Sequence, residues 1–300
     1  MPDTGQVIFP TAPRLDINAV LRAMANVGGP VVVPVHPLAG GAVGAWKVYC
    51  PGRGPRVLTW RPPAQGRDIA AQVTRTSQLV AIARRAGVPA PAYEDIVVLG
   101  DGGVVVLQEF VAGVRPRRSP DVVAALFELS ERRRGVLAGT AFSATPTPLY
   151  LTEDGPGFCL HGPLRERDER TRRLLSWVED VGRKGDVVDG DDLVHFDYHF
   201  GNALADPRNE DTVVAIIDWD GAAAGDVAMD GVILALDLVL YRAEAALVEQ
   251  VVDHLRRTTP EHRLRPLWAH GLLRLVDWRL RHSKDDDLSW LSRAEGIAGV

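Results

Sequence analysis

The spacing of apolar positions changes character once along the chain, after Ala112-Gly113. Ahead of that point, Leu15, Ile17, Val20, Leu21 and Met24 recur at helical intervals over 14–26, and Gly28-Gly29 ends the run. Val31 to Val35 reads as extended chain. The glycine-rich stretch Gly40-Gly41-Ala42-Val43-Gly44 lies between two short apolar segments, and Pro51-Gly52-Arg53-Gly54 marks a second turn before Arg56–Trp60. A helix is predicted over 67–86 with Gly87 at its end. Strands are predicted at Ile96–Leu99 and Val104–Phe110, on either side of Gly100–Gly103. Beyond Gly113 the period is mostly helical, over 120–138, 165–183, 227–257 and 260–282. Only Leu193–Phe196 and Val213–Ile217 look extended there. A small, mostly antiparallel sheet with one main helix, followed by a larger helical part, predicts an α+β fold of two lobes rather than an alternating parallel sheet.

Composition narrows the class. The 300 residues are 46% hydrophobic and 24% charged, which is ordinary globular usage and excludes wholesale disorder. The net charge of −5 argues against a nucleic-acid partner and is compatible with a cationic ligand. Cys50 and Cys159 are the only cysteines, too few for a disulfide scaffold or a structural zinc site. No apolar run approaches the ~20 residues that span a bilayer. The first residues lack the basic and apolar regions of a signal peptide, so a cytoplasmic protein with no membrane partner is expected. Oligomeric state is not written in the sequence.

The candidate chemistry sits in two short strings. His195-Phe196-Asp197-Tyr198-His199-Phe200-Gly201-Asn202 follows one apolar segment, and Asp218-Trp219-Asp220 follows another. Two strands returning as a hairpin would bring Asp197, Asn202 and Asp218 together. Phosphoryl transfer needs such a set. Mg²⁺ brought by a nucleoside triphosphate takes few protein ligands, typically a carboxylate and an amide oxygen. A separate carboxylate must orient the attacking hydroxyl and accept its proton. Asp218 and Asn202 suit the first task and Asp197 the second. Asp220 suits Mg²⁺, substrate or a local turn. An alternative comes from His195-x-Asp197-x-His199, which on a strand would face one side and suit a metallohydrolase. A nucleotide-binding regulator without turnover is a third reading.

The string H-F-D-Y-H-F-G-N followed by I-I-D-W-D resembles the catalytic and metal-binding loops of the aminoglycoside phosphotransferase and choline kinase-like family. That resemblance implies a bilobal, protein kinase-like fold. It divides the chain into a nucleotide-binding lobe over 1–109 and a catalytic and substrate-binding lobe over 110–300, with a hinge near 108–114. It implies ATP as co-substrate, Mg²⁺ as cofactor, and an aminoglycoside-like antibiotic, an amino sugar or another small alcohol as acceptor. Asp197 is then the base, and Asn202 and Asp218 the metal ligands. His195 scaffolds the loop, and Asp226 and Asp230 in Gly225-Asp226-Val227-Ala228-Met229-Asp230 brace it, Asp226 as a helix cap. Gly40, Gly41, Gly44 and Lys47 would approach the nucleotide, and the backbone of Glu109, Phe110 and Val111 would bind adenine. Asp277 and Trp278, on a late helix, would meet the acceptor.

Three departures stand out. Phe196 and Phe200 replace the family's usual Gly and Pro. The Lys or Arg that the family carries on its third strand is expected near Thr59, where Arg56, Arg61 and, one strand earlier, Lys47 are the neighbours. The helix over 67–86 holds no Glu to anchor that cation; Gln72 and Gln78 are the nearest substitutes.

Overall fold

Asp16 and Asp68 start the first two helices by accepting backbone N–H groups that have no partner inside a helix. Asp16 takes Asn18 and Ala19 at 2.9 and 3.1 Å, and Asp68 takes Ala71 at 2.8 Å. The computed structural model describes residues 13–39, 43–64, 68–283 and 287–300. In chain order its first elements are α1 (Ile17–Asn26), β1 (Val33–Leu38), β2 (Ala45–Cys50), β3 (Gly54–Arg61), α2 (Ile69–Arg85), β4 (Tyr93–Val98), β5 (Val104–Glu109) and α3 (Pro120–Glu131). The strands form one antiparallel sheet in the order β1-β2-β3-β5-β4.

The register of that sheet decides which side chains share a face, because neighbours along a strand point to opposite sides. Val48, Leu58, Val105 and Leu107 pack with Ile17, Val20 and Met24 of α1. Val104 and Val106 pack on the other face with Val73 of α2. Thr59 lies opposite Val106, and Arg61 opposite Val104, so both point to the α2 face. Lys47 pairs with Val57, and Val57 with Gln108, which places Lys47 on that face too. Arg56 pairs with Val48 and so faces the α1 side. The turn between β2 and β3 holds two glycines with positive φ, Gly52 at +76° and Gly54 at +80°.

The chain divides into two compact units: Pro13–Thr145 with Gly190–Asp230, and Pro146–Asp189 with Gly231–Val300. The first holds the sheet, α1 to α3 and the antiparallel hairpin Ala203–Asp206/Asn209–Ile216. The second is mainly helical. Several of its helices end earlier than periodicity alone predicts. The run over 165–183 breaks at Asp168, whose extended backbone (φ −165°) forms a capping box with Thr171 for the helix Glu169–Gly182. The run over 227–257 divides into Ala228–Leu240 and Ala245–Thr258, with Arg242 at φ +53° between them. In the first unit, α3 stops at Glu131, and Leu137 N–H donates to Asp191 O at 2.8 Å. No helix among the described residues is long and apolar enough to cross a membrane.

In the helical unit His270 is buried on the helix Glu261–His282, and its Nδ1 lies 2.7 Å from Leu149 O. Burial, aided by Arg274, pushes its pKa down to about 3. The unfolded chain takes up this proton near pH 6.5 and the folded chain does not. Stability is therefore complete above about pH 6.5 and falls as the pH drops toward 3, by at most about 1.4 kcal/mol per pH unit for this group. Urea unfolding at pH 7.5, 6.0 and 5.0 should show a shallower pH slope for His270→Asn than for the parent. Equal slopes would remove His270 as a source of acid sensitivity.

Candidate active site

The loop after Leu193 is held from beneath by a buried ion pair. Asp230, with no exposed surface, accepts from Arg133 Nη1 at 2.5 Å, His195 N at 2.9 Å and Phe196 N at 3.0 Å. Arg133 is equally buried. It also donates to Leu193 O and Ser130 Oγ, and its guanidinium lies over the Tyr198 ring, 4.6 Å from the centroid. Nothing in the sequence pattern singled out Arg133, which stands in the plain basic run Arg132-Arg133-Arg134. Asp226 is buried as well, and its Oδ1 accepts from Ala228 N at 3.0 Å at the start of the following helix.

Both ring nitrogens of His195 are engaged. Nδ1 accepts from Asp197 N at 3.3 Å, and Nε2 donates to Ile217 O at 3.0 Å. Burial is the largest influence on the ring and pushes its pKa down to about 4, so it is neutral at ordinary pH. A ring so placed holds a loop and has no nitrogen to offer a metal. Among the described residues no group of three or more His, Cys, Asp or Glu side chains is arranged to hold a metal ion. The His-x-Asp-x-His set of a metallohydrolase is thus not assembled.

The same bonds gather the candidate trio. Asn202 Nδ2 donates to Asp197 O and to Asp197 Oδ2, both at 2.9 Å. With its N–H groups turned to Asp197, the amide presents Oδ1 as the atom suited to a cation. Ile217 N donates to Asn202 O at 2.8 Å, which fixes Asp218 one residue further on. His199 Nδ1 accepts from Gly201 N at 3.0 Å, and its Nε2 lies 3.5 Å from Asp197 Oδ2.

Two of these positions carry positive φ, Phe196 and Asp218, each at +62°. Glycine adopts this conformation freely, whereas a side chain costs about 1–2 kcal/mol. Phe196 is nonetheless 4% exposed, so its ring recovers energy by burial. Asp218 keeps exposed surface, yet the chain crowds its carboxyl enough to cost it hydration. That desolvation, reinforced by the carboxylates of Asp220 and Asp197 and opposed by Arg61 and His199, pushes its pKa up to about 7. Asp218 and the Asn202 amide oxygen are hard donors, and a divalent cation between them would relieve the repulsion that the neighbouring carboxylates exert on Asp218.

Asp220 is tied to the sheet. Its Oδ2 forms an ion pair with Arg61 Nε, and Tyr93 Oη donates to its Oδ1 at 3.4 Å. Of the basic residues near Thr59, Arg56 points to the other face, where its Nε meets Glu94 at 2.5 Å. Lys47 Nζ sits 4.2 Å above the centroid of the Phe110 ring. Gln72 and Gln78 are both exposed on α2. At the expected hinge, Glu109 Oε2 accepts from Arg84 Nη1 at 2.9 Å and Ala92 N at 3.2 Å, while Phe110 and Val111 are half-buried. Gly44 precedes β2 at φ +96°; Gly40 and Gly41 lie outside the described residues.

In the helical unit Asp277 is fully buried. Its oxygens accept from Arg281 Nε and Nη2 at 2.5 and 2.7 Å and from Leu160 N at 2.9 Å. These bonds account for Asp277 as a structural carboxylate; Trp278 beside it is half-buried.

The family model "Phosphotransferase enzyme family" matches residues 34–267. No curated protein matches the chain in sequence. Among solved structures, amicoumacin kinase hAmiN in complex with AMP-PNP, Ca²⁺ and Ami is 13% identical with a TM-score of 0.66, over 95% of this chain and 93% of that one. A thermostable mutant of aminoglycoside phosphotransferase APH(4)-Ia, in ternary complex with AMP-PNP and hygromycin B, is 19% identical with a TM-score of 0.59, over 94% and 98%. APH(3'')-Id from Streptomyces rimosus, with ADP and streptomycin, is 17% identical with a TM-score of 0.53, over 86% and 98%. At these identities the likenesses establish the fold, which is that of the kinase-like phosphotransferases. The chain belongs to the phosphotransferase enzyme family.

Proposed function

We propose that the protein moves the γ-phosphoryl group of ATP to a hydroxyl of an aminoglycoside-like antibiotic, an amino sugar or another small alcohol. The observation that carries this reading is the Asn202 amide bonded at 2.9 Å to Asp197 Oδ2, with Asp218 next in the chain to Ile217, whose N–H donates to Asn202 O. Asp197 orients the acceptor hydroxyl and takes its proton as the oxygen attacks. Asn202 holds the base by its N–H groups and turns Oδ1 toward the cation site. Asp218 and Asn202 would hold Mg²⁺, which when bound with the nucleotide neutralises phosphate charge. His195 and Asp230 keep the loop in place and exchange no proton. The glycine-rich segment ending at Gly44 covers the phosphates, and backbone groups from Glu109 to Val111 bind adenine. In this reading 1–109 serves the nucleotide and 110–300 the acceptor and the chemistry.

The acceptor class follows the neighbours, which were solved with amicoumacin, hygromycin B and streptomycin; one scaffold serves many acceptors, so the choice among these classes is for experiment. An ADP-release screen with Mg²⁺ and ATP against antibiotics, amino sugars and small alcohols should find an acceptor that raises ADP release well above the acceptor-free rate. Nucleotide binding with no such acceptor would instead favour a regulator.

A further inference from the structure

Arg61 stands two residues beyond Thr59 on the same face of β3, and it is held by Asp220 rather than by a residue of α2. The helix has no carboxylate to offer; its Gln72 and Gln78 are exposed. Asp220 belongs instead to the segment that carries Asp218, two residues earlier. We infer that Asp220 is a positioning residue for Arg61, and that Arg61 so held is the cation that grips the nucleotide phosphates. The inference rests on the proposed function and assigns within it a task to Asp220 that is neither metal binding nor acceptor binding.

The chemistry of the side chains supports this division. A guanidinium has five N–H donors in a planar fork and can be anchored along one edge while it binds an oxyanion along another. Asp220 meets Nε, and Nη1 lies 3.4 Å from Trp60 O; Nη2 takes part in neither contact. A lysine in this place has one compact ammonium and would have to share it. Tyr93 Oη on the second Asp220 oxygen keeps the carboxylate from rotating away. Phosphate grip and metal-bearing segment are thus joined through one ion pair that bypasses α2.

Titration of the whole chain with Mg·ATP and, separately, with adenosine tests this. Arg61→Gln should weaken Mg·ATP about ten-fold, the value of one charge-assisted contact, and leave adenosine unchanged. Arg56→Gln should change neither. Asp220→Asn should weaken Mg·ATP about three- to ten-fold with adenosine unchanged, and Asp220→Glu should recover part of that loss. In the double variant of Arg61→Gln with Asp220→Asn the losses should not add, because Asp220 acts through Arg61. Equal or tighter Mg·ATP binding by Asp220→Asn, additive losses, or a parallel loss of adenosine would each overturn the inference. A parent chain that fails to bind Mg·ATP at all would overturn the functional reading instead.

Discussion

Asp197→Ala should lower acceptor-dependent ADP release by about 10³-fold, the scale of a lost general base, and leave Mg·ATP binding and the melting temperature close to those of the parent. The separation of the two effects comes from the local structure. The Asp197 side chain is 37% exposed, so its removal opens no buried cavity. Asn202 keeps its second bond, to the Asp197 carbonyl oxygen, and therefore its place. His195 and Ile217 still pin the loop from beneath. What disappears is the carboxylate that would aim the hydroxyl. Turnover within a few-fold of the parent would exclude Asp197 as the base.

Asp230→Ala should do the opposite and damage the fold first. Breaking a fully buried ion pair by removing one partner costs about 3–5 kcal/mol, because the remaining charge stays in the interior without compensation. Here the loss leaves Arg133 unpaired and also strips the acceptor from two loop amides, His195 N and Phe196 N. Arg133→Met should cost a similar amount by stranding the carboxylate. Urea unfolding monitored by tryptophan fluorescence reads both, since Trp219 lies 4.7 Å from His195, ring to ring, at the centre of this cluster. A shift below about 1 kcal/mol for Asp230→Ala would show that the pair is dispensable.

How much of this was legible in the sequence depends on how far apart the partners are. Asp197 and Asn202 are five residues apart and sit in one loop, so spacing alone suggested their meeting. The sheet and its two flanking helices were legible for a similar reason, since apolar periodicity and the stops at Gly28-Gly29 and Gly87 act locally. Arg133 was not, because its partner Asp230 lies 97 positions away and a run of three arginines looks like a solvated surface. The surroundings of Asp277 were hidden by the same blindness: a carboxylate on a half-polar helix gives no sign that Arg281 and Leu160 N will enclose it. Arg61 was an intermediate case. The two-residue period already put it on the face of Thr59, but only the pairing with Val104 shows that this face looks to α2.

That pairing has a consequence for which parts of the chain tolerate change. In the hairpin joining β2 to β3, a Cβ on Gly52 or Gly54 would meet no atom within 4 Å, so the constraint there is torsional and not spatial. A one-residue slip of β3 against β5, by contrast, would exchange Trp60 for Arg61 across the layer. An indole would then confront Asp220, and a guanidinium would be pressed into the oily pack around Met24. The register of β3 against β5, and not the length of the exposed bend, is therefore what keeps Arg61 beside Asp220.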